Sequence, residues 1–523
     1  MRTRKVIDAS TLSDDVTLEA DVAVIGTGAG GGFAAEILAS SGLKVVMLEE
    51  GGYFTNQDFS LRESDAFRDL YQENAARKTK DSAINILQGK AVGGSTVVNW
   101  TTSFRTPANT LAHWRAHWGM EEYTPSKLAP WFQEVERRLD IAPWTGDPNE
   151  NNNVVRRGAE KLGWHWGVIR RNVRRCQNLG YCGMGCPVNA KRSMLVTTVP
   201  AALDLGSVLV HRARAERLLH RGGKVGGLQA IALDGEGRLP TGKRISVNAR
   251  HFVLASGAIG TPALLLRSNA PDPEDLLGKR TFLHPVNVSV ALMPELVEPF
   301  HGAPQSLYSD HFLWPGSAGG EIGYKLEVPP LFPQLSAAVM KIHGHGHAEL
   351  MARLPHMNAC IALMRDGFHP ESIGGTVSLH DDGSPIIDYP ISDAMWDGFK
   401  RAYLSMAEMQ FAAGAEEVLP LHTEARRYKT WAEARTAIQQ LPMEIFKAYL
   451  GSAHVMGGCP MGGDSRTSLL DTLGSYRHLE NLSVMDGSVF PTSVGANPQL
   501  SIYCVAMRNA TALARRLNSS SGI

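Results

Sequence analysis

The sequence predicts an α/β chain, α+β overall, in which a parallel-sheet domain is interrupted by an inserted domain built on an antiparallel sheet. Three observations carry that expectation. A short apolar run, a glycine-rich turn, a helical stretch and a second apolar run follow one another between residues 21 and 52. Two later apolar strands, at 249–255 and 482–485, each end on a tight turn. Between about 286 and 450 the pattern changes: Pro and His become frequent, and alternation such as Thr376-Val377-Ser378-Leu379 marks half-buried strands.

In chain order, Asp21–Ile25 reads as a buried strand and Gly26–Gly32 as the turn. Phe33–Ser40 is the helix, Lys44–Leu48 the next strand, and Glu49-Glu50 closes the unit. Ala249–Ala255 turns at Ser256-Gly257-Ala258 into a helix over Thr261–Arg267. Leu482–Met485 ends at Asp486-Gly487. A last helix follows Asn497-Pro498 and runs to about Leu517, with Asn as its cap and Pro at its first position. Residues 15–135, 201–288 and 451–523 are assigned to the first domain. Residues 136–200 form a linking or lid region with three cysteines, and 289–450 the inserted, substrate-binding domain.

Composition narrows the function. With 43% hydrophobic residues the chain can bury a large core, and 52 Lys+Arg against 52 Asp+Glu leave no basic excess to neutralise phosphates. A dedicated nucleic-acid binder is therefore not expected. No stretch approaches the ~20 apolar residues of a spanning helix, and Met1–Ala20 has no apolar signal core. Six cysteines are too few for a disulfide scaffold, so a cytoplasmic location is expected, with peripheral membrane association left open.

Gly26-x-Gly28-x-x-Gly31 follows a strand, opens a helix and is answered by Glu49, twenty-three residues after Gly26. Gly26 suits the tight turn, Gly28 the approach of backbone to a pyrophosphate, and Gly31 close helix–strand packing. The helix N-terminus faces the phosphate charge, and the Glu49 carboxylate suits ribose hydroxyls. A Rossmann-like dinucleotide site is expected here.

A second glycine cluster, Gly89–Trp100 (GKAVGGSTVVNW), joins the first. With Ala255–Pro262, Leu283-His284-Pro285 and Val484–Pro498, the chain resembles the glucose–methanol–choline (GMC) oxidoreductases, nearest to bacterial alcohol dehydrogenases and oxidases and to cholesterol-oxidase-like members. The resemblance implies FAD. It also implies that Gly93, Gly94 and Ser95 line the pyrophosphate and ribityl region, and that Asn99 and Thr101 approach the isoalloxazine. Ala215 would contact adenine, Ser256 would line the cofactor groove, and Asp486-Gly487 would meet the ribityl chain, with Asn497-Pro498 beside the ring. Thr96-Val97-Val98 holds no His of the kind that attaches FAD covalently in some relatives, so dissociable FAD is expected.

Alcohol oxidation by a flavin needs a group to take the hydroxyl proton, and His suits that task at neutral pH. Among 18 His, His454 in Ser452–Cys459 matches the family's catalytic histidine, and Asn497 its partner on the substrate oxygen. The expected activity is oxidation of an apolar alcohol to an aldehyde or ketone, with oxygen or an electron carrier as second partner. Glu321 and Glu327 are considered as a third group and set aside as exposed loop carboxylates. Rival readings are a lyase of the same fold and an electron-transferring subunit with an iron–sulfur cluster on Cys176, Cys182 and Cys186. The cluster is not favoured, and no metal site is assigned. His343-x-His345-x-His347 is taken as a polar strand or loop of the inserted domain.

Overall fold

The structure is a computed structural model that describes residues 4–519. Two eight-stranded sheets organise it. The first runs in the order Lys5–Asp8, Val208–His211, Val45–Glu49, Val16–Ile25, Pro240–Leu254, Lys224–Leu233, Ala213–Arg221, with Leu482–Val484 beside the end of Pro240–Leu254. Its first five strands and Leu482–Val484 are joined by parallel pairings, and the remaining two form an antiparallel meander.

The parallel register explains how distant segments reach one place. Ile25 pairs with Leu48 and with Leu254, and Leu254 pairs with Val484. The turns after these strands, at Gly26, Glu49, Ala255 and Met485, therefore emerge side by side at the carboxyl edge, where open α/β sheets take ligands. The helix Ala29–Ser40 packs between the C-terminal helix Gln499–Ser519 and Thr198–Asp204. Phe33, Leu38, Val505 and Ala510 are buried there.

The expected elements of the first domain are all present, and four of them begin earlier than expected: the strands Val16–Ile25 and Pro240–Leu254 and the helices Ala29–Ser40 and Gly257–Arg267. The helix begins at Ala29 inside the glycine turn, and the helix expected from Thr261 begins at Gly257. Ala249–Ala255 is the end of a fifteen-residue strand.

The second sheet runs Ile84–Ile86, Leu450–Ser452, Val286–Leu292, Met357–Met364, Tyr324–Glu327, Leu307–Ser309, Gly167–Val168, with Glu417–Pro420 also on Val286–Leu292. All its pairings are antiparallel except Leu450–Ser452 with Ile84–Ile86. The twenty-residue helix Asp393–Ala412 covers one face, burying Phe399, Ala402, Tyr403 and Met406. Short strands from 84–86 and 167–168 thus join a sheet whose other members lie between 286 and 452. Among the described residues no helix is long and apolar enough to cross a membrane.

Candidate active site

A single cavity of about 1300 Å³ runs from the carboxyl edge of the first sheet to the second. At one end its wall is backbone. Gly26 has φ +97°, and a Cβ there would stand 2.3 Å from the Ala255 carbonyl oxygen, so only glycine fits this crossing of turns. Gly30 is closer still: a Cβ would fall 1.5 Å from the Met485 oxygen, just before Asp486. Gly31 packs helix to strand in the same way, its Cβ position 1.9 Å from the Gly26 oxygen. Gly28 and Gly94 bring the two glycine clusters against each other, a Cβ on Gly94 lying 2.7 Å from the Gly28 Cα.

Thr27, between the first two motif glycines, links three features. Its backbone N–H and hydroxyl both donate to Glu49 Oε2, and its hydroxyl accepts from Gly93 N–H. Glu49 Oε1 accepts from Gly51 N–H. Three of the roughly four acceptor positions of the carboxylate are filled, leaving capacity for another donor. Burial pushes the Glu49 pKa up, against the pull of those hydrogen bonds. Asp486 is tied down likewise: Oδ2 accepts from Gly257 N–H and the Thr261 hydroxyl, Oδ1 from Ser488. It fastens the second and third chain segments of the groove together.

Of the residues expected from sequence, Gly26, Gly28, Glu49, Gly94, Ser95, Asn99, Ala215, Ser256, Asp486, Gly487, Asn497, Pro498 and His454 line this one cavity. Gly31, Gly93 and Thr101 do not line it. Thr101 is fully buried with φ +67°, its hydroxyl donating to the Trp100 carbonyl and accepting from Arg171 Nε. Asn99 instead donates to Gln499 Oε1.

Further along, the wall is shaped by side chains. In the antiparallel register Val286 faces Gly451, so residues just before Val286 and just after Gly451 meet. His284 Nδ1 and His454 Nδ1 lie 3.0 Å apart, with the rings stacked at 5.1 Å between centroids. His284 has φ +46°, and its backbone N–H donates to Asp366, which also takes Leu283 N–H and the Tyr389 hydroxyl. Burial, followed by the nearby positive charge of Lys325, pushes the His454 pKa down to about 3. Burial, then His454 and Lys325, holds His284 well below the usual histidine range. Both rings are neutral at pH 7.

Asn497 does not cap the last helix with its side chain, as expected from Asn-Pro. The helix starts at Gln499, and the Pro498 carbonyl accepts from Ile502 N–H. The Asn497 amide is turned to the strand Tyr324–Glu327, where Lys325 Nζ donates to Oδ1 at 2.6 Å and Nδ2 donates to Glu327 Oε2 at 3.0 Å. The expectation of exposed loop carboxylates holds for Glu321 and fails for Glu327, which sits on that strand with a fully buried side chain. Strand alternation puts Lys325 and Glu327 on one face, and their mutual charge makes burial tolerable. Nothing in a Lys-x-Glu strand signals this, since the same pattern serves solvent-facing sheet surfaces.

The cysteines and the histidine triplet fall elsewhere. Cys176, Cys182 and Cys186 are free thiols, and among the described residues no three His, Cys, Asp or Glu side chains form a metal-holding group. Lys191, nearly fully buried, donates to the carbonyls of Val97, Asn99 and Cys182 and pins this region under the second glycine cluster. The strand or loop expected for His343–His347 is instead the start of a helix, Gly344–Ala352. There His345 pairs with Glu349 and His347 lies 3.0 Å from the Ala337 carbonyl, on separate neighbours.

Comparison with known proteins agrees with this architecture. Family models of the GMC oxidoreductases match residues 67–286 and 370–506. An uncharacterized GMC-type oxidoreductase of Mycobacterium tuberculosis is 30% identical over 93% of this chain and 75% of its own length. Long-chain-alcohol oxidase FAO1 of Arabidopsis thaliana is 28% identical over 96% of this chain and 68% of its own. A formate oxidase of Aspergillus oryzae RIB40 shares the fold with a TM-score of 0.70 at 16% identity, covering 97% of this chain and 100% of that one. The chain belongs to the GMC oxidoreductase family; it is an oxidoreductase and a flavoprotein with FAD as its cofactor. Its residues fit that cofactor, because the groove is walled by backbone where side chains would collide and keeps an acceptor free on Glu49.

Proposed function

We propose that the protein oxidises apolar alcohols to aldehydes or ketones, using dissociable FAD, with His454 as the proton acceptor and Asn497 holding the alcohol oxygen. The observation that carries this reading is the continuity of one cavity. It leads from the glycine turn and Glu49, past Gly94 to Asn99, to His454 and Asn497. It then continues between the apolar side chains of Val288, Leu331, Val339, Met340, Ile361 and Leu421. An alkyl or ring substituent buried there gains about 25 cal/mol per Å² of apolar surface removed from water. The long-chain-alcohol oxidases among the relatives support the same substrate class.

FAD bound in the groove supplies the hydride acceptor. The chain's own part is to hold the alcohol and manage its proton. Only one proton can lie between the two Nδ1 atoms of the histidine pair. For His454 to accept at Nε2, that proton belongs to His454 and points at His284. A base with a pKa near 3 cannot release a free alkoxide from an alcohol, so proton transfer to His454 accompanies departure of the carbinol hydrogen. Asn497 offers an amide N–H to the oxygen as negative charge grows there.

The test is anaerobic reduction of the purified flavoprotein by a series of primary alcohols from ethanol to hexadecanol, with benzyl alcohol and a sterol. Flavin bleaching that quickens with chain length, and an aldehyde product, are expected. No bleaching by any alcohol, with cyanohydrin cleavage by the oxidised enzyme, would establish the lyase reading instead. Admitting air to the reduced enzyme separates an oxidase, which forms hydrogen peroxide, from a dehydrogenase, which needs another carrier.

A further inference from the structure

Lys325 is a cation buried beside the reacting pair that the proton chemistry above does not use. Its side chain is 2% exposed, and that of Glu327 is 0% exposed. The ammonium stands 2.6 Å from Asn497 Oδ1, 2.7 Å from Glu327 Oε1 and 3.6 Å from the centre of the Phe104 ring. A carbonyl, a carboxylate and an aromatic face thus surround the three N–H donors of the ammonium. Glu327 divides its oxygens: Oε2 accepts from Asn497, while Oε1 meets the ammonium as an ion pair, outside hydrogen-bond alignment.

An amide can ordinarily be turned end for end with little change of shape. Here the two ends are told apart by chemistry. An ammonium can only donate, so it must face the carbonyl oxygen; a carboxylate can only accept, so it must face the NH2 group. With Glu327 holding one of the two amide N–H donors, the second is the donor left for a ligand oxygen. Building on the reading of His454 and Asn497 as the reaction site, we propose that Lys325 is a positioning residue. With Glu327, it locks the Asn497 amide in the orientation that presents an N–H donor to the alcohol oxygen.

Lys325 acts through Asn497, and that distinguishes the proposal from a general packing role. The experiment uses the FAD-loaded enzyme, with dodecanol as reductant under anaerobic conditions. Lys325→Met is one variant. Because it strands a buried carboxylate, the paired replacement Lys325→Met with Glu327→Gln is the second, which removes both charges at nearly constant volume. Each is made with Asn497 present and again with Asn497→Ala, and FAD content is measured throughout.

The expected result is a fall in the reduction rate of roughly 10- to 100-fold with Asn497 present. In the Asn497→Ala background the same replacements change the rate by less than about 2-fold, since nothing remains to be oriented. Equal losses in both backgrounds would show that Lys325 acts through His454 or packing and overturn the proposal. So would an unchanged rate with Asn497 present, or loss of FAD from both Lys325 variants while Asn497→Ala retains it. If Asn497→Ala and His454→Ala both reduce at the parent rate, the reaction site itself is misplaced, and this inference falls with it.

Discussion

Two parts of the cavity are built by opposite means. The end at Gly26, Gly30 and Glu49 is made mostly of backbone, in adjoining parallel strands whose register alone brings the turns together. The part at His454 and Asn497 is set by side chains from four separate segments, with His284, Lys325 and Glu327 behind the two residues that line the cavity. A backbone site is specified by what cannot be added to it. A side-chain site is specified by what each group donates or accepts, and a single atom type is enough to disable it. Substitutions should therefore fail differently in the two parts.

Gly30→Val should give the largest effect. Its Cβ would fall 1.5 Å from a carbonyl oxygen, and backbone cannot give way as a flexible side chain can. The helix N-terminus must then part from the Asp486 segment. The purified variant should hold less than roughly a tenth of the parent FAD, measured by absorbance per chain. Gly235→Ala, where nothing lies within 4 Å of the added carbon, should keep its full complement. Equal FAD in both variants would refute the view that this end is defined by backbone contact.

His454→Ala should come next, with the opposite signature: FAD retained, and reduction by dodecanol slowed at least ~100-fold. His284→Gly probes the pair from its other member, because Gly tolerates the positive φ of position 284 while removing the ring nitrogen that faces His454. Without that acceptor the ring of His454 is free to turn and to change tautomer. A drop of about 10-fold in reduction rate, with FAD content unchanged, is expected. A rate equal to the parent's would reduce the contact to packing.

The same contrast explains what the sequence discloses. Gly26, Gly28, Gly31 and Glu49 are legible because their tasks are local: a strand, a turn and a helix within about thirty residues carry their own periodicity. His454 and Asn497 are reached only through a family resemblance, since one His of eighteen and one Asn before a Pro have no distinguishing pattern of their own. Thr27 and Gly30 sit inside the legible motif, yet their contacts with Glu49, Gly93 and Met485 depend on segments far along the chain. Lys325 and Glu327 are invisible for a stronger reason. Alternating charges on a strand suggest solvent, and only the stacking of that strand beneath the start of the last helix makes them a buried pair.

Burial alone does not make a histidine functional, and His251 shows why the distinction matters. It lies in the strand Pro240–Leu254 of the first sheet, 2% exposed, with Nε2 3.0 Å from the Ser483 hydroxyl. Burial pushes its pKa down to about 3, the same depth as His454, yet it does not line the cavity. The folded pKa lies below the ordinary value of about 6.5, so between about pH 3 and about pH 6.5 the unfolded chain binds more protons than the fold. Stability is then fully present above about pH 6.5 and lost as the pH falls through that window. His251→Gln should make the decline of urea stability between about pH 6 and pH 4 shallower by up to one proton, about 1.4 kcal/mol per pH unit. The reduction rate at pH 7.5 should not change. His454→Ala should flatten the same decline while abolishing turnover, so the two variants share a stability signature and differ only in chemistry. An unaltered slope in His251→Gln would show that this histidine is already protonated in the fold, and that depth in the sheet does not set its charge.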